Sequence, residues 1–284
     1  MKQVIACIDG ISRTPGICDY AIWAAGRLDT DLDFLHVTET APDYLPIAEL
    51  TGNVWLSTQE SLLQDLADLD QQRNELLLEQ GRQCLQMAME RAQGLGAKRI
   101  ASRQRQGSLL DILLEIEPDT RLFVLGHHEH PVKASRLMPD HRLEYAVRGL
   151  HRPVMVAGSV FKEPGSFMVA YDGSPTADKT ADMVSRSPLL AGLPAHLVMV
   201  GHMSATAQAA LERTHAQLAQ AGFAVQAVRV PGEPAAALAD YAEQHGIDLL
   251  VMGAYGHTRI RHLMLGSTTT AILGQLRMPL LILR

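Results

Sequence analysis

Between residues 249 and 269 the chain reads Leu-Leu-Val-Met-Gly253-Ala-Tyr-Gly256, then nine residues, then Gly266-Ser267-Thr268-Thr269. These residue types at this spacing suit the holding of a phosphate. Glycines let backbone N–H groups approach an anion with no Cβ in the way. A Gly-Ser-Thr step opening a helix adds unpaired amide donors, two hydroxyl groups and the positive end of the helix dipole. His257, Arg259, Arg261 and His262 stand in the loop between. The Walker cradle is excluded, because no G-x-x-x-x-G-K-[ST] occurs in the chain. The plainer reading is a strand-to-helix connection with a tight glycine turn and Ser267 as an ordinary N-cap. The pattern G-x2-G-x9-G-[ST] points to the cradle because of its place, after the fourth strand of a repeated unit.

Other residues invite chemistry and have quieter explanations. His127, His128 and His130 surround Glu129. Imidazole and carboxylate ligands suit zinc, with His36 as the further ligand, yet no cysteine pair stands nearby to complete four. A solvated polar loop accounts for the same residues. Ser12 and Ser174 follow Asp-Gly steps, but neither lies in a G-x-S-x-G elbow, and both read as turn formers. Cys7 falls inside an apolar strand and reads as core. Asp9 and Asp172 belong to different copies of a repeat and form no acid/base couple. Asp65, Asp68 and Asp70 read as a wet helix face.

The elements that must position these residues occur twice. Residues 3–12, Q-V-I-A-C-I-D-G-I-S, match residues 166–175, S-F-M-V-A-Y-D-G-S-P: an apolar strand ending in Asp-Gly. Helical segments follow at 17–28 and 177–190, then second strands at 32–37 and 197–202. Helices starting just after a glycine come at 108–116 and 234–245. Fourth strands end in Gly126 and Gly253, and both halves close on an apolar run after a proline, 152–156 and 278–282. This is a tandem duplication. Strands alternating with helices predict a parallel sheet covered on both faces, doubly wound and five-stranded in each half. In such sheets ligands sit beyond the carboxyl ends of strands where strand order reverses, so Asp172 and Gly253 are expected to flank one crevice. Residues 158–165 form the linker.

The halves differ in two respects. The first inserts a proline-bearing loop from 41 to about 56 and a long helical stretch to about 93. Leu62, Leu66, Leu69, Leu76 and Leu77 are spaced to line one face of it, which is expected to pack inward. A lid or groove is a further use for such an insertion. The second difference is chemical: Gly126-His127-His128-Glu129-His130 replaces the glycine loop, no Gly-Ser step follows, and Arg136 and Arg142 bound the corresponding region.

Composition sets the frame. A chain of 284 residues accommodates two α/β units of about 140 each. A net charge of −6 and a pI near 6.0 argue against general nucleic-acid binding. No run reaches the length of a membrane span, and three scattered cysteines suit a reducing compartment, so a cytoplasmic protein is expected.

On these residues the chain resembles the universal stress protein family in its tandem two-domain form. The resemblance covers essentially the whole length and is most specific at Gly253, Gly256, Gly266 and Ser267. It implies two Rossmann-like domains, 1–158 and 165–284, each a parallel sheet of order 3-2-1-4-5. The pair would form a pseudo-dimer with 153–156 beside 279–283. It further implies that Asp172 lies near the adenosine of ATP, or of AMP or ADP, and that a backbone group at His202 meets the base. Gly253 would face the ribose, while Gly256, Gly266, Ser267 and Thr268 would donate to Mg²⁺-accompanied phosphates. The first half keeps Asp9 and Gly126 but departs at the remaining glycines, so nucleotide is expected in the second half alone. The implied role is a nucleotide-binding regulator of the stress response. No positioned base or acceptor is visible for efficient phosphoryl transfer. A slow ATPase and a lipid or small-molecule carrier using the first half are the alternatives. A homodimer of the whole chain and a regulatory protein partner stay open.

Overall fold

The computed structural model describes residues 2–39, 56–126, 141–201, 205–254, 272 and 278–284. Runs such as Val4-Ile5-Ala6-Cys7 and Phe167-Met168-Val169-Ala170-Tyr171 carry no charge and form strands largely buried on both faces. Parallel strands between two helix layers require that composition. The first half contributes β1 (Gln3–Cys7), α1 (Thr14–Leu28), β2 (Leu32–Thr38), α2 (Leu56–Gly94) and β3 (Ile100–Gln106). It continues with α3 (Leu109–Ile116), β4 (Thr120–Gly126), α4 (His141–Gly149) and β5 (Val154–Ala157). The second half contributes β6 (Phe167–Tyr171), α5 (Pro175–Ser185), β7 (Ala195–Val200), α6 (Ala205–Gln220) and β8 (Val225–Val230). Then come α7 (Pro234–His245), β9 (Leu249–Gly253) and β10 (Leu280–Leu283).

These strands form one ten-stranded sheet, ordered β3-β2-β1-β4-β5-β10-β9-β6-β7-β8. Each half is parallel with the expected order. The two join through an antiparallel ladder of β5 and β10, with Leu281 opposite Met155. The pseudo-dimer along the closing strands is this ladder. Helices α1, α2, α5 and α6 pack on one face and α3, α4 and α7 on the other. The first of these apolar layers runs without a break across both halves, taking in Leu28 of α1 and Leu190 of the second half.

Local chemistry sets the element ends. Helix α1 starts three residues earlier than expected, because Pro15 fits a first helical turn and Thr14 Oγ1 donates to the Gly10 carbonyl at 2.8 Å. Helix α5 likewise starts at Pro175, behind the Ser174 cap. Strand β7 ends at Val200 rather than 202, and Gly201 then turns the chain with φ 99°. Between the halves, Phe161 packs edge-on against Tyr20 with ring centroids 4.8 Å apart. Lys162 pairs with Asp248 at 2.5 Å, and Asp248 also accepts the Gly165 N–H at 2.9 Å. A Cβ on Gly16 would fall 2.5 Å from the Gly158 carbonyl oxygen, so the linker passes there only because α1 has a glycine.

Helix α2 corrects one expectation. Its carboxyl-terminal part buries Cys84, Leu85, Ala88 and Ala92. It crosses the sheet at Gly81, where a Cβ would lie 2.4 Å from His36 Cδ2 and from Gln104 Nε2. Gln104 Nε2 donates to the Leu78 carbonyl at 3.0 Å, and Gln106 Nε2 to Asn74 Oδ1 at 3.3 Å. Gln106 is the last residue of β3, so the sheet stops where α2 still has 18 residues ahead of Asn74. Two leucines of the stripe expected to pack inward meet water instead: Leu69 is 60% exposed and Leu76 65%. Leu77 is half-buried, and the side chains of Leu62 and Leu66 lie outside the described residues.

Candidate crevice at the carboxyl ends of β6 and β9

Strands β6 and β9 are neighbours, with Phe167 opposite Leu249 and Val169 opposite Val251. The ladder ends at Val169 and Val251, and beyond it Asp172 follows β6 while Gly253 closes β9, so the two stand at the carboxyl ends of adjacent strands. β7 lies on the other flank of β6, so the chain departs from β6 in one direction and returns in the other. This is the reversal point at which such sheets open a crevice. Of the residues expected to form the site, Asp172 and Gly253 stand at the same edge of the sheet, at the ends of neighbouring strands. His202, Gly256, Gly266, Ser267 and Thr268 lie outside the described residues.

Asp172 is exposed, and its Oδ1 accepts the Ser174 N–H at 2.9 Å. Ser174 Oγ in turn accepts the Ala177 N–H at 3.2 Å, which caps α5. Gly173 supplies the positive φ of 75° that this turn needs. The role of Ser174 is thus structural. Behind the turn, the Tyr171 hydroxyl donates to Asp178, and burial together with that carboxylate pushes its pKa up to about 12. Gly253 abuts α5: a Cβ there would fall 2.8 Å from Thr180 Oγ1 and 2.9 Å from Thr176 Cγ2. Met199 at the end of β7 and the turn at Gly232, φ 118°, border the same edge of the sheet.

The equivalent place in the first half is built differently. Asp9 follows β1 as Asp172 follows β6, and Gly126 meets α1 as Gly253 meets α5, its absent Cβ 2.8 Å from Ile17 Cδ1. The Asp9 carboxylate, however, accepts from Arg13 Nε at 3.1 Å. Four residues separate Asp9 from the start of α1, against two between Asp172 and α5, and the longer turn gives room for the guanidinium. The i, i+4 spacing of Asp9 and Arg13 was the available signal for this pair in the sequence. His36 is held by its Nδ1, 2.7 Å from the Ile8 carbonyl oxygen, and its other edge faces α2. Among the described residues no three His, Cys, Asp or Glu side chains are placed to hold a metal. His127, His128 and His130 lie outside those residues.

A second polar cluster sits at the opposite end of the strands. His196, early in β7, lies with its Nδ1 2.8 Å from the Tyr241 hydroxyl, and His245 stacks on Tyr241 at 3.9 Å. Burial lowers the pKa of His196, and His245 adds to that. Periodicity placed these residues on their elements but gave no hint that they meet. Their distance from the β6–β9 reversal leaves them outside the crevice. The Cys7 thiol is buried and pushed well above its ordinary range, first by desolvation and then by Asp9.

Residues 165–284 match the model of the universal stress protein family. Over 287 aligned residues, spanning all of both chains, the sequence is 32% identical to Universal stress protein Slr1230 of Synechocystis sp.. Over 74 residues it is 30% identical to Universal stress protein MJ0577 of Methanocaldococcus jannaschii, covering 26% of this chain and 46% of that one. Among solved structures, a universal stress protein from Archaeoglobus fulgidus superposes with a TM-score of 0.64 at 15% identity. That match covers 99% of this chain and 96% of the other. PA1789 from Pseudomonas aeruginosa gives 0.61 at 16% identity, covering 100% and 92%. At these identities the structural likenesses speak for the fold alone.

Proposed function

The chain belongs to the universal stress protein family, and from that premise we propose that it binds one adenine nucleotide, ATP foremost, as a regulatory ligand. The single observation that carries the reading is the placement of Asp172 and Gly253 at the carboxyl ends of the adjacent strands β6 and β9, where strand order reverses and the G-x2-G-x9-G-[ST] run begins. Asp172 offers a carboxylate acceptor to the nucleoside. Gly256, Gly266, Ser267 and Thr268 are the donors assigned to the phosphates, with His202 at the base and Mg²⁺ accompanying the triphosphate. The nucleotide unit is 165–284, and 1–158 is its non-binding counterpart. Arg13 supports that division, since a guanidinium already satisfies the acidic group that a nucleoside would need.

Binding without turnover suits these residues. Phosphoryl transfer needs a base or a positioned acceptor, and the Asp172 turn is committed to the Ser174 amide and the α5 cap. A ligand acting on a regulator has only to favour one conformer over another.

Calorimetry with ATP and Mg²⁺ tests this directly. One nucleotide per chain is expected, with affinity lowered at least about tenfold, or 1.4 kcal/mol, by Gly266→Val and by Asp172→Ala. Two nucleotides per chain, or binding that survives both substitutions, would overturn the assignment.

A further inference from the structure

The antiparallel ladder of β5 and β10 puts the start of one half's last strand at the edge where the other half's strands end. Ile282 pairs with Met252 of β9 on one side and with Val154 of β5 on the other. Gly253 follows Met252, and Arg152 comes two residues before Val154 in a strand that runs the other way, so both lie toward the same edge. Two strand spacings separate β9 from β5, roughly 10 Å. Arg152 therefore belongs to the first half by sequence and to the crevice edge of the second half by position.

Its main chain is fixed and its charge is not. The Arg152 N–H donates to Glu117 Oε1 at 2.8 Å, and the Pro153 carbonyl accepts from the Phe123 N–H at 3.0 Å. Glu117 also accepts the His151 N–H and lies 3.2 Å from His151 Nδ1, so this carboxylate is already satisfied. The half-buried Arg152 guanidinium has no hydrogen bond or ion pair among the described residues. Its neighbours differ: Arg148 lies 3.7 Å from Glu144, and Arg284 donates to the carbonyls of Val147 and Arg148. From 249 to 284 the chain has no Asp or Glu to neutralise it. The duplicate serves as a control. Met278 precedes Pro279 as Arg152 precedes Pro153, at the edge where the first half's own strands end, and it packs against the apolar layer. Arg277, which matches His151, lies outside the described residues.

The order along the edge decides what Arg152 meets. Strands β7, β6, β9, β10 and β5 follow one another. With the nucleotide bound as proposed, on which this inference rests, the base lies toward β7, Asp172 after β6 meets the nucleoside, and the phosphates begin at the glycine run after β9. The next steps in that direction lead past β10 to Arg152. A guanidinium with unused donors suits phosphate oxygens, which it can hold in pairs. We propose that Arg152 is a specificity-determining residue that pairs with the terminal phosphate. The first half, though it holds no nucleotide, thereby sets the preference of the second for ATP over AMP.

The experiment titrates ATP with Mg²⁺, and separately AMP, into the full chain by calorimetry. Arg152→Met, which copies the residue at the duplicate position, is expected to lower ATP affinity at least about tenfold and AMP affinity less than about twofold. Arg152→Lys keeps the charge without the planar fork and should fall between the two. Thermal melts without nucleotide should not move, because the guanidinium has no partner to lose. Equal losses for both nucleotides, or an ATP affinity indifferent to the substitution, overturn the proposal and leave the nucleotide reading standing. A chain that binds neither nucleotide overturns both.

Discussion

Gly126 and Gly253 look alike in the sequence, each ending a fourth strand, and the structure gives both the same local task. At each, a helix that starts after an Asp-Gly turn comes too close for a side chain. For Gly253 the neighbours are Thr180 and Thr176, short β-branched side chains in a helix with little freedom to move aside. Gly253→Ala is therefore expected to destabilise the protein by roughly 1–3 kcal/mol whether or not nucleotide is present. Urea unfolding with and without ATP checks this, and a loss seen only with ATP would count against packing as the cause. The neighbouring aspartates separate the halves more sharply. Asp172 faces solvent and holds a turn, while Asp9 holds Arg13.

At the scale of elements, β7 and α7 are tied by the contact of His196 with Tyr241, and α7 closes through His245 stacked on the same ring. Burial disfavours the charged form of His196, and His245 nearby adds to the effect. The unfolded chain takes a proton on this residue near its ordinary value of 6.5, while the folded chain resists. Just below that pH the unfolded state binds more protons, so stability falls as the solution is acidified through it. His196→Gln should flatten that part of the profile, as measured by urea midpoints between pH 7.5 and 5.5 (roughly one unit to either side of the histidine value). An unchanged slope would show that His196 does not carry it. Helix α2 teaches the complementary lesson, since one helix is core after Gly81 and solvent-facing at residues 67–73.

For the whole molecule the decisive feature is the β5–β10 ladder, reinforced from three directions. Arg284 donates to the carbonyls of Val147 and Arg148, Arg27 Nε to that of Leu189, and Lys162 pairs with Asp248. An unbroken apolar layer across this joint makes separate unfolding of the halves costly. Leu281 is 2% exposed on the ladder, so Leu281→Ala should cost about 2–5 kcal/mol. Trp23 and Trp55, the two tryptophans of the chain, both belong to the first half. Their fluorescence should lose stability together with the far-ultraviolet circular dichroism of the whole chain, although the substitution lies in the second half. Tryptophan midpoints that stay put while the dichroism splits would show two independent units.

Much of this was written along the chain. Strands buried on both faces must be apolar, so the first, second, fourth and closing strands of each half were legible from pattern alone, whereas the polar, half-exposed β3 and β8 were not located. The Asp-Gly steps and the fourth-strand glycines marked where a crevice would open, since turns that reverse direction call for glycine. Only the folded chain decided that the halves meet antiparallel, that Arg13 satisfies Asp9, that His196 finds Tyr241, and that α2 outruns the sheet. Each of these depends on distances between residues on different elements, or on where a neighbouring element stops. Local periodicity says which face of a helix is apolar; whether protein or water meets that face is settled by what packs beside it.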